Sequence, residues 1–525
     1  MRLASVALLS CLAACAASAD HTSEAASELV VASPVELPAS PPEGSGAPVP
    51  ATLVEGLDHL RTGLRQQQDW QLWDQVAPST AAATSAFLVA ADQGAPPARV
   101  RAGIDTAEVL GAWNALYLES LEVDPDDPAA ALRNADLALR LDALLEQLAG
   151  VEGRLPHTSY LLADMQFLSG DDDGGSLTLQ YALEKWPGDD DLHALTRAWR
   201  DVLPDPDAII AALDRAASRH VADGGVRARA LATRAHLNLS MGNTDYGEGR
   251  LEQAAARYRS AGDDFIEAYA TQFVLSLDEA DLLAAQGYTY AGWSEYNLAD
   301  GALEAGDTGL ARQHISDAGE NFALALSRVP GHEDATRGVD FTGDFLVSPA
   351  KLGDMQAAAA FFGDMARRFD NGVWWNNAAF FLRETAADPD PAVAQANYEA
   401  CYRAYERCIA LEPDNARFVN DTALILVHYI EPLDPARAAR AEELLRRAWA
   451  LGAEVCDNPF TSQEKHDENF EAYGDAMYNL GVLLARLGRA DEAREVTDEL
   501  LAVAPHRLDA RQLHQALASP AADSP

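Results

Sequence analysis

The chain has 525 residues, 82 acidic against 39 basic, for a formal net charge of −43. A surface this negative repels phosphate backbones and anionic headgroups, so it speaks against nucleic-acid partners and favours solubility, cationic partners or a salty environment. Hydrophobic residues make up 48% of the chain, enough to bury several ordinary domains or one long solenoid.

Residues 1–19 have the form of an export signal, Arg2 followed by the apolar run Leu3 to Ala14. Two cleavage readings compete. Leu12-Ala13-Ala14-Cys15 fits a bacterial lipobox, with Cys15 as the lipidated first residue, and Ala17-Ser18-Ala19 fits an ordinary signal-peptidase site. The lipobox reading is favoured, and Ala16 in place of an aspartate is compatible with the outer membrane. The run is too short to span a bilayer, and no later segment is long enough. Residues 20–50, rich in Pro, Ala, Ser and Glu, read as a disordered tether.

From Ala51 onward apolar residues recur at three- and four-residue spacing, and no alternating Val/Ile/Thr run suggests a sheet. Residues 51–150 read as a divergent helical subdomain of four or five helices, with breaks near Pro78, Pro96-Pro97 and Asp124-Pro125. Residues 151–330 read as repeated helices, among them 207–219, 226–241 and 248–260. The acidic turn 170–175 lacks the ligand pattern of a calcium loop. Residues 331–352 read as a loop-rich interruption. Residues 353–518 resume the repeats: one unit opens at Trp374 and closes at Pro413, a second covers Asn420 to Ala448, and a polar loop over 454–469 leads to the last pair. A cap helix at 508–518 and a disordered tail at 519–525 end the chain. Cys401 and Cys408, seven apart on one helix face, lie about 10 Å from each other by helical rise, too far for a disulfide, and read as buried thiols.

The stretch Tyr473–Pro505 is the most regular. Two amphipathic helices meet at Leu487-Gly488-Arg489, with Gly481 and Ala493 small where the helices touch. Met477, Leu480, Gly481, Leu484, Ala493 and Pro505 fall on the signature positions of a tetratricopeptide repeat, a helix pair of about 34 residues, which this stretch resembles. Thr497 and Leu500 depart from that signature. Ala163, Gly170, Ala182 and Pro187 repeat the offsets of Gly481, Gly488, Leu500 and Pro505, and Ala318, Phe322, Ala325 and Pro330 repeat those of the second helix. In the latter pair the first helix sits about nine residues too far upstream, which predicts an insertion in the turn. The resemblance implies an all-α, right-handed α-α superhelical solenoid of irregular helix-turn-helix repeats, with a divergent N-terminal part.

No nucleophile elbow, phosphate loop, dinucleotide loop, zinc-protease helix or paired-cysteine site occurs in the sequence, so no catalytic residues, cofactor or metal are expected. Glu119-Ser120 lacks the residues that would make it catalytic, and His157, His220, His314, His428 and His466 share no metal spacing. One pattern does recur. Asn297, Asn377 and Asn479 each stand two residues before the small residue of a first helix, and Asn420 is a fourth candidate. The resemblance places that position on the concave groove, where an amide row would bond the backbone of an extended peptide, with Trp293, Trp374, Trp375 and Tyr478 as apolar anchors. The competing reading is packing between repeats. The sequence thus predicts a non-catalytic, lipid-anchored envelope protein that binds a protein or peptide through Asn297, Asn377, Asn420, Asn479, Trp375 and Tyr478. It would sit on the outer membrane facing the periplasm, or be soluble after cleavage at Ala19. The alternative is a small-ligand accessory of an envelope transport or polymer-assembly system.

Overall fold

The computed structural model describes residues 49–123, 129–457 and 463–518. The export segment, Cys15, most of the tether, Asp124-Pro125, residues 458–462 and the tail lie outside these residues; the rest of the expected 454–469 loop, 454–457 and 463–469, is helical. Among the described residues there is no strand, and no helix is long and apolar enough to cross a membrane.

The described residues divide into two compact units, with the boundary between Gly287 and Tyr288. The first holds α1 (Ala51–Gln68), α2 (Val76–Asp92), α3 (Pro97–Leu121), α4 (Ala130–Ala149), α5 (Pro156–Ser169), α6 (Asp172–Lys185), α7 (Asp190–Trp199), α8 (Pro206–Arg219), α9 (Gly224–Gly247) and α10 (Leu251–Thr271). The division falls inside α11 (Leu277–Glu304). The second unit continues with α12 (Thr308–Arg328), α13 (Glu333–Val347), α14 (Met355–Phe369), α15 (Gly372–Thr385), α16 (Pro391–Leu411), α17 (Ala416–His428), α18 (Pro435–Asp457), α19 (Gln463–Arg486), α20 (Ala490–Val503) and α21 (Leu508–Ala518).

Several aspartates stand at helix starts, where a short carboxylate satisfies backbone N–H groups that have no partner inside the helix. Asp189 accepts from Asp191 and Leu192 N–H, Asp223 from Val226, Asp307 from Leu310 and Asp354 from Ala357. Two first helices, α11 and α19, are followed by a glycine in the left-handed region, Gly306 at φ 81° and Gly488 at φ 75°, a conformation an L side chain resists.

In the first unit one hydrophobic core runs from Leu53 to Ala268 without a break near residue 150. The helices expected as a separate subdomain share it: Trp113 of α3 and Leu148 of α4 are fully buried with Leu161 of α5. In the second unit each helix packs on its neighbours in sequence, and α17 also meets α19, and α19 also meets α21. These are tetratricopeptide-like pairs stacked as an α-α solenoid, whose core is continuous only through stacking. The signature positions are its core. Ala493, Leu500, Ala318, Phe322, Ala325, Cys401, Tyr405, Cys408, Ala441 and Leu445 are all buried. A Cβ on Gly481 would stand 3.0 Å from the Thr497 hydroxyl and 3.1 Å from Leu513, so the small residue does mark a close approach of the second helix. Cys401 and Cys408 are free and buried, and burial pushes both thiols up to about 12.

Two expectations are corrected here. Residues 331–352 are not a loop-rich interruption, for they carry α13. Its glycines read as loop residues but are contact points: a Cβ on Gly338 would lie 2.4 Å from the Phe322 ring and one on Gly343 2.1 Å from Phe362. His332 caps the helix by accepting from Ala335 N–H at 3.3 Å. The turn before α12 carries no insertion either. It is the short Ala305–Asp307, and the upstream displacement is absorbed by the 28-residue length of α11.

Candidate functional site

The amide row is split by the structure. Asn420 of α17 and Asn479 of α19 are buried, and the Asn479 Nδ2 donates to Asn420 Oδ1 at 3.1 Å. Asn479 Oδ1 faces His428 Nε2 at 2.9 Å, so that ring nitrogen carries the proton. Burial lowers the His428 pKa, partly offset by this hydrogen bond. Asn420 in turn donates its Nδ2 to Asp421 Oδ1 at 3.2 Å, and burial raises that carboxyl to about 6. These amides answer each other across the helix packing, and a peptide would have to break the chain of bonds to use them. Asn297 and Asn377 are half-buried.

Helix α15 presents its candidates to two different clefts. Trp375 borders a cleft of about 670 Å³ between α14, α15 and α16, floored by Ala359, Ala360, Gly363 and Ala378 and rimmed by Arg367 and Arg403. The Trp375 indole N–H donates to Asp370 at 3.3 Å, which leaves the ring half-exposed. Asn377 borders the second cleft, about 770 Å³, with Asn376, Glu412, Asn415 and Arg417. There the Asn376 Oδ1 is buried with no hydrogen-bond partner among the described residues. Trp374, by contrast, is buried and donates to Asp340 at 2.9 Å, and burial raises the Asp340 carboxyl. Trp293 meets Phe322 and Phe341 edge-on, at 5.1 and 5.6 Å between centroids, a packing role. The Tyr478 ring is half-buried with the Arg507 guanidinium 5.5 Å from its centroid.

The sequence reading missed a third cleft, in the first unit, of about 560 Å³, lined from α1, α5, α7, α9 and the start of α11. Asp191 accepts from Arg61 at 2.6 Å and Arg65 at 2.9 Å, and Asp190 pairs with Arg229. Burial alone would raise the Asp191 carboxyl, but the two guanidiniums outweigh it and hold the group below its usual range. His193 lies under the cleft wall, its Nε2 donating to the Pro187 carbonyl at 2.8 Å. That bond leaves Nδ1 as the acceptor for the Thr233 hydroxyl at 3.0 Å, and the Thr233 oxygen accepts from Arg197 Nη1 at 3.0 Å. Burial lowers His193 and His236 to about 4, so both rings are neutral at pH 7. A sequence signal existed: Asp190, His193 and Arg197 recur at three- and four-residue spacing, which puts them on one helix face.

Glu295, His314 and Asp317 also converge, with one ligand atom from each lying within 4.8 Å of the others, and Glu295 Oε2 is 2.7 Å from His314 Nδ1. The histidine-carboxylate hydrogen bond accounts for the closest pair.

No protein-family model matches the chain, and no curated protein matches it. Solved structures do. The assembly chaperone of RpL4 (Acl4, residues 1–338) is 16% identical over 53% of this chain and 94% of its own, with a TM-score of 0.20. The APC/C hetero-tetramer Cut9–Hcn1 is 12% identical over 90% of this chain and 99% of its own, at 0.21. A circular tandem repeat protein with a novel repeat topology and enhanced subunit contact surfaces is 14% identical over 89% and 95%, at 0.20. At such scores the overlaps carry no argument, and the fold rests on the helix pairs themselves.

Proposed function

We propose that this chain is a lipid-anchored repeat scaffold that holds an extended segment of a protein partner against α15. The carrying observation is Trp375, a large ring left half-exposed beside a cleft floored by alanine and glycine. A cleft with a small-residue floor and an aromatic wall suits an apolar side chain of a bound segment, and Arg367 and Arg403 offer donors to its backbone or to acidic neighbours. Asn377 extends the surface to the opposite side of the same helix, Tyr478 and Asn297 are secondary contacts, and Asn420 and Asn479 act through packing. The scaffold has no catalytic role in this reading. Lipidation at Cys15 would hold it to the outer membrane on the periplasmic side, with residues 20–50 as the spacer.

A photo-crosslinking side chain placed at 375 and at 377 in living cells should trap the same partner, and one at the exposed Leu132 should not. Binding of that purified partner should weaken about tenfold or more in Trp375→Ala, as for a buried aromatic anchor. An unchanged affinity in a normally melting variant rules the cleft out. The anchor is tested apart from it: Cys15→Ser should lose palmitate labelling and move to the soluble fraction.

A further inference from the structure

The cleft of the first unit contains a guanidinium that no carboxylate among the described residues contacts. Arg65 and Arg229, which line the same cleft, are each taken by a carboxylate, Asp191 and Asp190. Arg197 has no ion pair among the described residues, and its side chain makes one hydrogen bond, to Thr233. A guanidinium carries five N–H donors in a planar fork, so most of this fork is unused. Leaving it so is costly, because a half-buried charge with one neutral hydrogen bond and no carboxylate in contact is only partly repaid for the water it has lost.

The same group is held in one orientation. The Pro187 carbonyl can only accept, which fixes the proton of His193 on Nε2; His193 Nδ1 then accepts from Thr233, and Thr233 accepts from Arg197. A relay of three bonds thus aims the fork before any ligand arrives, the kind of preorganisation that reduces the entropy lost on binding. Two carboxylates act on Arg197 only through their longer-range fields: Asp190, already paired with Arg229, and Glu279, which lines the cleft exposed and with no ion pair among the described residues. The same lining includes the apolar side chains of Leu64, Leu195 and Leu275.

We propose that this cleft binds a zwitterion of amino-acid or dipeptide size, its carboxylate on Arg197, its ammonium toward Glu279 and an apolar side chain on the leucines of the lining. The volume of about 560 Å³ is ample for a molecule of that size. The site is independent of the Trp375 surface and takes a different class of ligand.

The test is calorimetric titration of the purified full chain with L-alanyl-L-leucine, its C-terminal amide, its N-acetyl derivative and free L-leucine. The dipeptide should bind, and the amide should bind about tenfold or more weakly, as when a charge-assisted hydrogen bond is lost. Arg197→Gln should reproduce the loss, Arg197→Lys should keep part of the affinity, and Glu279→Gln should weaken the dipeptide as acetylation does. Binding of leucine in place of the dipeptide assigns the smaller size. Equal binding of acid and amide, equal binding by Arg197→Gln, or no heat from either zwitterion overturns the proposal. Comparing acid with amide on the unaltered chain decides the matter even if Arg197→Gln fails to fold. Trp375→Ala should leave dipeptide binding unchanged.

Discussion

Asn479 of α19 donates its side-chain amide to Asn420 of α17 at 3.1 Å, and both residues are buried where the two helices meet. Asn479→Ala therefore strands the Asn420 oxygen and His428 Nε2 together. The expected cost is about 1–3 kcal/mol, the penalty of a buried polar group left unpaired. The double variant Asn420→Leu/Asn479→Leu should recover part of that loss. Urea unfolding of the three proteins reads this directly. A single variant as stable as the parent means that the amides are free to serve a ligand after all.

Phe322 is gripped from two sides. A Cβ on Gly292 would stand 2.6 Å from its ring and a Cβ on Gly338 2.4 Å, so the ring cannot retreat from one without meeting the other. Gly338→Ala should destabilise by about 1–3 kcal/mol through overpacking, although alanine is the better helix former. Gly301→Ala, at a helical position with nothing within 4 Å, should be neutral or stabilising by up to about 1 kcal/mol. A melt in which the two variants shift alike would rule out the wedge.

Burial lowers His193 to about 4, whereas an unfolded histidine titrates near 6.5. Between those values the unfolded chain binds more protons, so stability rises with pH there; it is full above about 6.5 and lost as pH falls toward 4. His236, lowered to about 4 by burial, adds in the same sense, and Asp421, raised to about 6, opposes it. The difference between parent and His193→Gln isolates the one group. Over pH 6.5 to 4.5 the parent should lose up to about 1.4 kcal/mol per unit more than the variant. Parallel curves would show that His193 titrates alike in both states.

Asp191 ties α1 to α7 through Arg61 and Arg65. The arginines are partly exposed, so Asp191→Ala should cost about 1–3 kcal/mol, below the figure for a fully buried pair. Hydrogen exchange should locate the damage, with amides of α1 exchanging faster and those of α20 unchanged. Slow exchange in α1 would mean that its apolar face holds it without the ion pairs.

What the sequence disclosed follows from range. The pair α19–α20, its glycine turn and the buried Ala493 and Leu500 were legible because periodicity and left-handed glycines are local signals. Helix α13 was hidden by Gly338 and Gly343, which look like breakers until the rings of Phe322 and Phe362 are seen to fill the missing side chains' space. The recurrent asparagines were visible as a pattern, but whether they face solvent or each other depends on residues some sixty positions apart. The Arg197 cleft draws on α1, α7, α9 and the start of α11, and no one-dimensional pattern joins Arg65 to Glu279.

The ring of Phe322 touches positions on α11 and on α13, one helix to either side of its own. The distance between successive first helices is thus set there by the thickness of one benzene ring. A smaller residue would let the neighbouring turns close up, and a larger one would spread them. The pitch of such an array can therefore change one position at a time, and a binding surface built along it can be lengthened or shortened without altering the helices that compose it.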